Sequence, residues 1–103
     1  MVQSVTSLSA LQELISSGKP VAIDFYAVWC GPCKAISPKF EQWAAKYTGV
    51  TFIKVDVDQA AEIAGAMQIT AMPTFMFFKD GKKVETVVGA DPSKVEAAIA
   101  QIA

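Results

Sequence analysis

Long runs of apolar residues mark the strands of this chain. Val21–Trp29, with the sequence VAIDFYAVW, has almost no polar position, which is typical of a central parallel strand buried on both faces. Val50–Val57 is rich in β-branched residues and predicts a second strand. Two further runs, TFMFFK and KVETVV, flank the dipeptide Asp80-Gly81, which favours a tight turn between antiparallel strands. A short first strand around Val2–Val5 has only a weak signal.

Helical periodicity fills the segments between these strands. Four groups of apolar residues recur at the spacing of an amphipathic helix. They consist of Leu8, Leu11, Leu14 and Ile15; Ile36, Phe40, Trp43 and Tyr47; Ile63 and Met67; and Val95, Ala98, Ile99 and Ile102. Ser7 or Ser9 is suited to cap the first helix, a short third helix should follow Asp58, and Asp91-Pro92 is typical of a helix start. The order βαβαβαββα predicts an α/β fold with an antiparallel hairpin at the sheet edge.

The start of the second helix allows two interpretations. Ser37 and Pro38 suit a cap and a first helical turn. Alternatively, the helix begins near Cys33 and continues through Pro38, which removes one backbone hydrogen bond and kinks the helix. Ile36 and Phe40 lie four residues apart on either side of the proline, and this spacing favours the continuous helix. Only that helix would place its N-terminus beside the cysteines.

Length, composition and charge exclude several classes of protein. With 103 residues, 52% of them hydrophobic and 18% charged, the chain is expected to form a single domain over residues 1–103. A net charge of -1 gives no electrostatic basis for binding nucleic acid or an anionic membrane. No apolar run approaches the roughly 20 residues of a membrane-spanning helix. The N-terminal MVQSVTSLSA lacks a basic start and an apolar core, so we expect no signal peptide and a reducing, cytoplasmic compartment.

The chain has two cysteines, Cys30 and Cys33, and both lie in the sequence WCGPCK. Such a pair can be inert in the core, bind metal, or alternate between dithiol and disulfide. Structural zinc needs about four Cys or His ligands, and the chain has no His, so a two-thiolate Cu(I) site is the metal alternative that stays open. The missing His also excludes a cysteine nucleophile activated by an imidazole base.

The surroundings of the cysteine pair favour redox cycling. A helix N-terminus has free backbone N–H groups and the positive end of the helix dipole, and both lower the pKa of a nearby thiol. Cys30 would precede the helix, where its sulfur can face solvent, and Cys33 would lie one turn further on and deeper. Gly31 permits a tight backbone approach, and Pro32 restricts the conformations of the loop.

Several motifs together resemble the thioredoxin family. WCGPCK after the buried AIDFYA segment, KVDVD, AMPTFMFFKDGKKV and VVGADPSKVEAAI look like eukaryotic cytosolic thioredoxins, and they extend the resemblance over essentially the whole chain. C-x-x-C alone is weakly specific, whereas WCGPCK with a downstream MPTF is highly specific. The resemblance implies a thioredoxin fold, in which four helices flank a central five-stranded mixed sheet.

The resemblance also implies an activity, that of a general protein-disulfide reductase which a thioredoxin reductase regenerates and which needs no cofactor. Cys30 matches the attacking thiolate of the family and Cys33 the resolving thiol. Asp24 matches the proton acceptor for the resolving thiol, and Lys54 matches a lysine that can partner it. On sequence alone, Asp24 could lie at a solvated strand end and Lys54 could be an exposed strand lysine. The apolar neighbours of Asp24 favour a desolvated carboxyl with a raised pKa.

A client-binding surface around Cys30 is the last implication of the resemblance. Pro73 would follow a cis peptide bond and face the cysteines, which leaves the backbone N–H and C=O of Met72 free to pair with an extended client. The flat apolar surface would consist of Trp29, Gly31, Pro32, Met72, Pro73, Val88, Gly89 and Ala90. The implied clients include peroxiredoxins, ribonucleotide reductase and methionine sulfoxide reductase, and the implied state is a monomer.

Three positions depart from the usual family pattern, and other functions stay open. Tyr26 stands in place of a tryptophan, Val28 in place of a residue that is often polar or acidic, and Met67 in place of an aromatic residue. The alternatives are a disulfide oxidase or isomerase, a non-enzymatic binding or stability subunit, and a Cu(I) metallochaperone. Gly31-Pro32 argues against the oxidase or isomerase, because such relatives usually replace this dipeptide, often with a histidine.

Overall fold

The computed structural model describes residues 1–103 and contains five strands and four helices in the predicted order. The elements are β1 (Val2–Ser4), α1 (Leu8–Ser16), β2 (Val21–Tyr26), α2 (Gly31–Lys46), β3 (Thr51–Asp56), α3 (Ala61–Ala66), β4 (Thr74–Lys79), β5 (Lys82–Val88) and α4 (Pro92–Ile102). The weakly signalled first strand is therefore present, although it is only three residues long. None of the helices combines the length and the apolar character that a membrane crossing requires.

The strands form one mixed sheet in the order β1-β3-β2-β4-β5. β1, β3 and β2 are parallel, and β4 and β5 run antiparallel to their neighbours. β2 lies at the centre, where its residue Asp24 is the register partner of Lys54 on β3 and of Phe75 on β4. This arrangement confirms the expected five-stranded mixed sheet with four helices. The central position of β2 explains its nearly continuous apolar sequence, because both of its faces are covered.

Two apolar clusters cover the opposite faces of the sheet. Successive side chains of a strand point to opposite faces, so Ala22 belongs to one cluster and Ile23 to the other. The first cluster packs under α2 and α4, and there the ring of Phe40 meets Phe52 edge-on at 5.1 Å between centroids. The second packs under α1 and α3. Both layers fix β2 firmly, and β2 leads directly into the cysteine segment.

Helix α2 begins beside the cysteines and continues without interruption through Pro38. The structure therefore confirms the continuous helix, and the alternative start at Ser37 is wrong. The other predicted starts are also present, because the Ser7 side chain accepts a hydrogen bond from Ala10 N–H at α1 and Asp91 caps α4. Helix α2 packs through the Phe40 side of the helix, which holds its N-terminus against the end of β2.

Strand β2 ends three residues earlier than the apolar run Val21–Trp29 predicts. Val28 and Trp29 leave the sheet and are 60% and 66% exposed, so the prediction of a buried strand is wrong for them. At the far end of the sheet, Asp80 and Gly81 have φ values of 55° and 77° and form the predicted two-residue turn between β4 and β5. β5 is an edge strand, and it begins with the exposed lysines Lys82 and Lys83.

Candidate active site

Cys30 and Cys33 form a disulfide at the N-terminus of α2. Cys30 is the N-cap residue, with extended backbone angles that turn the chain from the end of β2 into the helix. The Sγ atom of Cys30 accepts a hydrogen bond of 3.2 Å from the backbone N–H of Cys33. A sulfur atom therefore takes the place of the oxygen acceptor that usually satisfies the free N–H groups of a helix start.

Both cysteines are buried in the disulfide form. Cys30 is 6% exposed and Cys33 3%, so the prediction that Cys30 faces solvent is wrong for this state, although Cys33 is the deeper of the two. The pair forms a small apolar cluster with Ala27, and half-buried side chains including Tyr26 and Met72 pack against it. These neighbouring side chains cover most of the disulfide. A molecule that reacts with the disulfide must therefore contact them.

Asp24 lies in the middle of β2 with a carboxyl group that is almost fully buried. Its Oδ1 atom has no hydrogen-bond partner. Burial raises the pKa of this carboxyl to about 7, and the positive charge of Lys54 opposes the rise only in part. The structure therefore confirms the desolvated carboxyl, and the alternative of a solvated strand end is wrong.

A cleft of about 190 Å³ connects the carboxyl with the cysteine pair. It is lined by Asp24, Tyr26, Ala27, Val28, Cys33, Lys34, Ser37 and Lys54. Lys54 is half-buried and shares this cleft with Asp24, so it is not the fully exposed strand lysine of the alternative interpretation. Cys33, rather than Cys30, is the cysteine that reaches the cleft. The resolving position and the buried carboxyl are thus on the same side of the disulfide.

The residues expected to meet a client are absent from the lining of this cleft. The Met72-Pro73 bond is cis, and the Pro73 carbonyl accepts a hydrogen bond of 2.8 Å from Gly89 N–H. The hydrogen bond between Gly89 and Pro73 brings the segment before β4 beside the segment after β5.

Most of the residues expected to meet a client are exposed. Trp29 and Val88 are 66% and 65% exposed. Gly31, Pro32 and Ala90 are exposed, whereas Gly89 is half-buried and Pro73 is buried.

Met72 has a free backbone at this surface. Neither its N–H nor its C=O takes part in a backbone hydrogen bond of the protein. Its side chain is half-buried and packs against the cysteine cluster. The backbone groups of Met72 are therefore available to an extended chain that lies beside the disulfide.

Sequence reasoning missed the contact that holds Trp29. The indole Nε1–H of Trp29 donates a hydrogen bond of 2.9 Å to Oδ2 of Asp58, 29 residues further along the chain. The backbone N–H of Asp58 in turn donates to Oδ1 of Asp56, a buried carboxylate at the end of β3. The sequence contains no local signal for this link, because it depends on the parallel pairing of β2 with β3. The same structure contains no cluster of three or more His, Cys, Asp or Glu side chains arranged to hold a metal ion.

Comparison with known proteins agrees with this site. Residues 2–101 match the family model for thioredoxin. The chain belongs to the thioredoxin family. It is similar to thioredoxin-1 of Schizosaccharomyces pombe, with 52% identity over 99 residues and 96% of each sequence covered. Plasmodium falciparum thioredoxin superposes with a TM-score of 0.93 at 42% identity, covering 98% of this chain and 99% of that one.

A second similar solved structure comes from work on a peroxiredoxin. It comes from a study of the thiol resolving mechanism in yeast mitochondrial 1-Cys peroxiredoxin via glutathione/thioredoxin systems. The matching chain has a TM-score of 0.93 and 38% identity, and 97% of this chain and 94% of that one are covered. These relatives establish the thioredoxin fold and a dithiol–disulfide oxidoreductase with Cys30 and Cys33 as its redox pair. As a thioredoxin, the protein is a protein-disulfide reductase, with a thioredoxin reductase and disulfide-containing proteins as its partners.

Proposed function

We propose that the protein reduces a broad range of protein disulfides, with Cys30 as nucleophile and Cys33 as resolving thiol. The observation that carries this assignment is the hydrogen bond from the Cys33 backbone N–H to Cys30 Sγ. At the N-terminus of α2, this donor and the helix dipole favour the thiolate form of Cys30 over that of Cys33. The sulfur with the better-stabilised negative charge is the one suited to attack.

The proposed cycle has two exchange steps. The Cys30 thiolate attacks one sulfur of the client disulfide, forms a mixed disulfide and releases the other client sulfur as a thiolate. Cys33 then loses its proton and attacks Cys30 Sγ, which releases the second client thiol and closes the Cys30–Cys33 disulfide. The client gains two electrons and the protein loses two. A thioredoxin reductase returns them, so the protein acts in electron transport between that reductase and its clients.

We assign the proton transfer of the second step to Asp24. The pKa of its carboxyl is raised to about 7 by burial, so near neutral pH it can both accept and release a proton. It shares the cleft with Cys33, the thiol that must be deprotonated. Lys54 is the register partner of Asp24 on the neighbouring strand β3, and its positive charge lowers the pKa of Asp24. The carboxyl therefore remains able to ionise at neutral pH.

We assign client binding to the flat apolar surface around Cys30. Its proposed members are Trp29, Gly31, Pro32, Met72, Pro73, Val88, Gly89 and Ala90. Large exposed apolar side chains such as Trp29 and Val88 contact clients without requiring a particular sequence. The free N–H and C=O of Met72 add backbone hydrogen bonds that any extended chain can form. Both kinds of contact suit a reductase with many unrelated clients.

The proposed partners follow from the family. Peroxiredoxins are supported by the structural relative from the yeast peroxiredoxin study. Ribonucleotide reductase and methionine sulfoxide reductase are proposed on family resemblance, as are a monomeric state, a single functional domain over residues 1–103 and a cytoplasmic location. Cys30 and Cys33 are the only cysteines in this sequence, so we expect no regulation through a second disulfide within these residues.

The decisive experiment is reduction of insulin disulfides, first with dithiothreitol and then with NADPH and a thioredoxin reductase. We expect turnover with both electron sources. The control is Cys30→Ser, which keeps the fold and removes the proposed nucleophile. The proposed function would be contradicted if wild-type protein were inactive in both assays, or if Cys30→Ser showed substantial turnover.

A further inference from the structure

Met72 is the methionine that lies beside the redox pair. Its side chain packs against the cluster of Ala27, Cys30 and Cys33 and remains half-buried. Met67 is also half-buried, but it packs against the core cluster under α3. Met76 is 5% exposed within β4. The chain therefore offers a matched pair of half-accessible thioethers, one at the proposed client-binding surface and one away from it.

The thioether of a methionine is a target for hydroperoxides. One oxygen atom moves from hydrogen peroxide to the sulfur, which loses two electrons, and the peroxide is reduced to water. The product, methionine sulfoxide, is polar and chiral, whereas the thioether is apolar and adapts its shape to neighbours. At Met72 this change would place a polar oxygen in the apolar surface next to the disulfide.

We propose that Met72 is a peroxide-sensitive modification site, and that its sulfoxide weakens client reduction while the thiol chemistry of Cys30 and Cys33 continues. This inference rests on the proposed client-binding role of the surface. The new oxygen needs hydrogen-bond partners that an apolar client side chain does not offer. It also lies next to the backbone N–H and C=O of Met72 that are free for the client.

The disulfide form of the protein leaves Met72 open to this reaction while it protects the cysteines. Peroxide attacks thiolates, and the Cys30–Cys33 disulfide has none. Met72 stays half-accessible in the same state. The two kinds of oxidation also differ in their reversal, since dithiothreitol reduces the disulfide but methionine sulfoxide requires methionine sulfoxide reductases.

The test begins with the disulfide form of wild type, Met72→Leu and Met67→Leu, treated with hydrogen peroxide and then freed from it. Peptide mass spectrometry locates the added oxygen atoms. After reduction by dithiothreitol, each protein is assayed with insulin and with a small aromatic disulfide, relative to its own untreated sample. We expect wild type and Met67→Leu to lose roughly three- to tenfold in insulin reduction, and Met72→Leu to lose little. Reduction of the small disulfide should be nearly unchanged in all three.

Two further arms make the result specific. Methionine sulfoxide reductases with dithiothreitol should restore the insulin activity of treated wild type. Met72→Gln, which carries a polar amide of similar length, should reduce insulin more slowly than Met72→Leu without any peroxide. The inference is overturned if Met72 stays unoxidised while Met67 reacts, if oxidised Met72 leaves insulin reduction unchanged, or if Met72→Leu loses as much activity as wild type. Failure of the proposed function is recognised separately, because untreated wild type would then not reduce insulin.

Discussion

Asp24 and Lys54 are register partners on β2 and β3, yet they form no ion pair. The ammonium group lowers the pKa of the carboxyl, but the desolvation of Asp24 has the larger effect and raises that pKa to about 7. The result is a carboxyl group that changes its protonation near neutral pH inside a sheet.

Asp24→Asn should be more stable than wild type at neutral pH. An aspartate in the unfolded chain has a pKa near 3.9, below the native value of about 7. Between these two values the unfolded state ionises while the native state keeps its proton, so the wild type loses stability as the pH rises. Asparagine removes that loss, and we expect a gain of roughly 2 kcal/mol at pH 7 after allowing for a buried unpaired amide.

The measurement is urea unfolding of both proteins in the disulfide form from pH 4 to pH 8. Because the amide cost does not depend on pH, the variant should be about 1 kcal/mol less stable than wild type at pH 4; the difference should change sign as the pH rises and level off above about pH 7. A variant that is clearly less stable than wild type at pH 8 would show that the carboxyl is not desolvated.

Lys54→Gln should raise the pKa of Asp24 further, because the substitution removes the charge that opposes the effect of burial. The carboxyl carbon of Asp24, followed by NMR across a pH titration, reports this pKa directly. Lys79→Gln is the matched control, since it removes an exposed strand lysine at the end of β4 with the same change in net charge. An equal shift in both variants, or none in Lys54→Gln, would count against an electrostatic effect of Lys54 on the pKa of Asp24.

Cys33→Ser should accumulate mixed disulfides with client proteins from a cell extract. Its Cys30 can still attack, but a serine hydroxyl is too weak a nucleophile to resolve the product. Non-reducing gels should show covalent complexes that dithiothreitol releases. Cys30→Ser should capture far fewer, because Cys33 is deeper and faces the cleft rather than the client-binding surface. Equal capture by the two variants would reverse or abolish the proposed order of attack.

Asp58→Ala should lower client reduction by freeing the indole of Trp29 from its hydrogen bond. A charge-assisted hydrogen bond of this kind contributes about 1 kcal/mol in an exposed position, so we expect a loss of roughly two- to fivefold in kcat/KM for insulin. Asp58→Asn keeps an oxygen acceptor and should lose less. Far-UV circular dichroism should be unchanged in both variants. If alanine and asparagine have the same effect, the orientation of Trp29 does not depend on this bond.

Periodicity predicted the fold well because the sheet is covered on both faces. The apolar run of β2, the Asp80-Gly81 turn and the Asp91 cap all appear where local patterns place them. The same reasoning extended β2 too far, since Val28 and Trp29 are apolar and yet exposed. Local hydrophobicity does not distinguish a buried apolar residue from an exposed one.

The candidate site was predictable only as far as its motifs were local. The cysteine pair and the buried carboxyl of Asp24 are evident from their neighbours in the sequence. The bond between Trp29 and Asp58 is not, because it joins loops that meet only after β2 and β3 have paired. Nor does the sequence indicate that Cys30 is covered in the disulfide form, since that depends on side chains such as Met72 packing from distant segments.

The lysines at the start of β5 place positive charge at one end of a sheet edge. β5 is an edge of the sheet, and an edge offers unpaired backbone groups along its length. A second copy of the protein that docked there with its β5 parallel and in register would bring its own lysines near Lys82 and Lys83, and the ammonium groups would repel each other. The backbone of Met72 has no such charges beside it in sequence. Like charges therefore oppose one self-pairing of the β5 edge, whereas the unpaired backbone N–H and C=O of Met72 carry no such barrier.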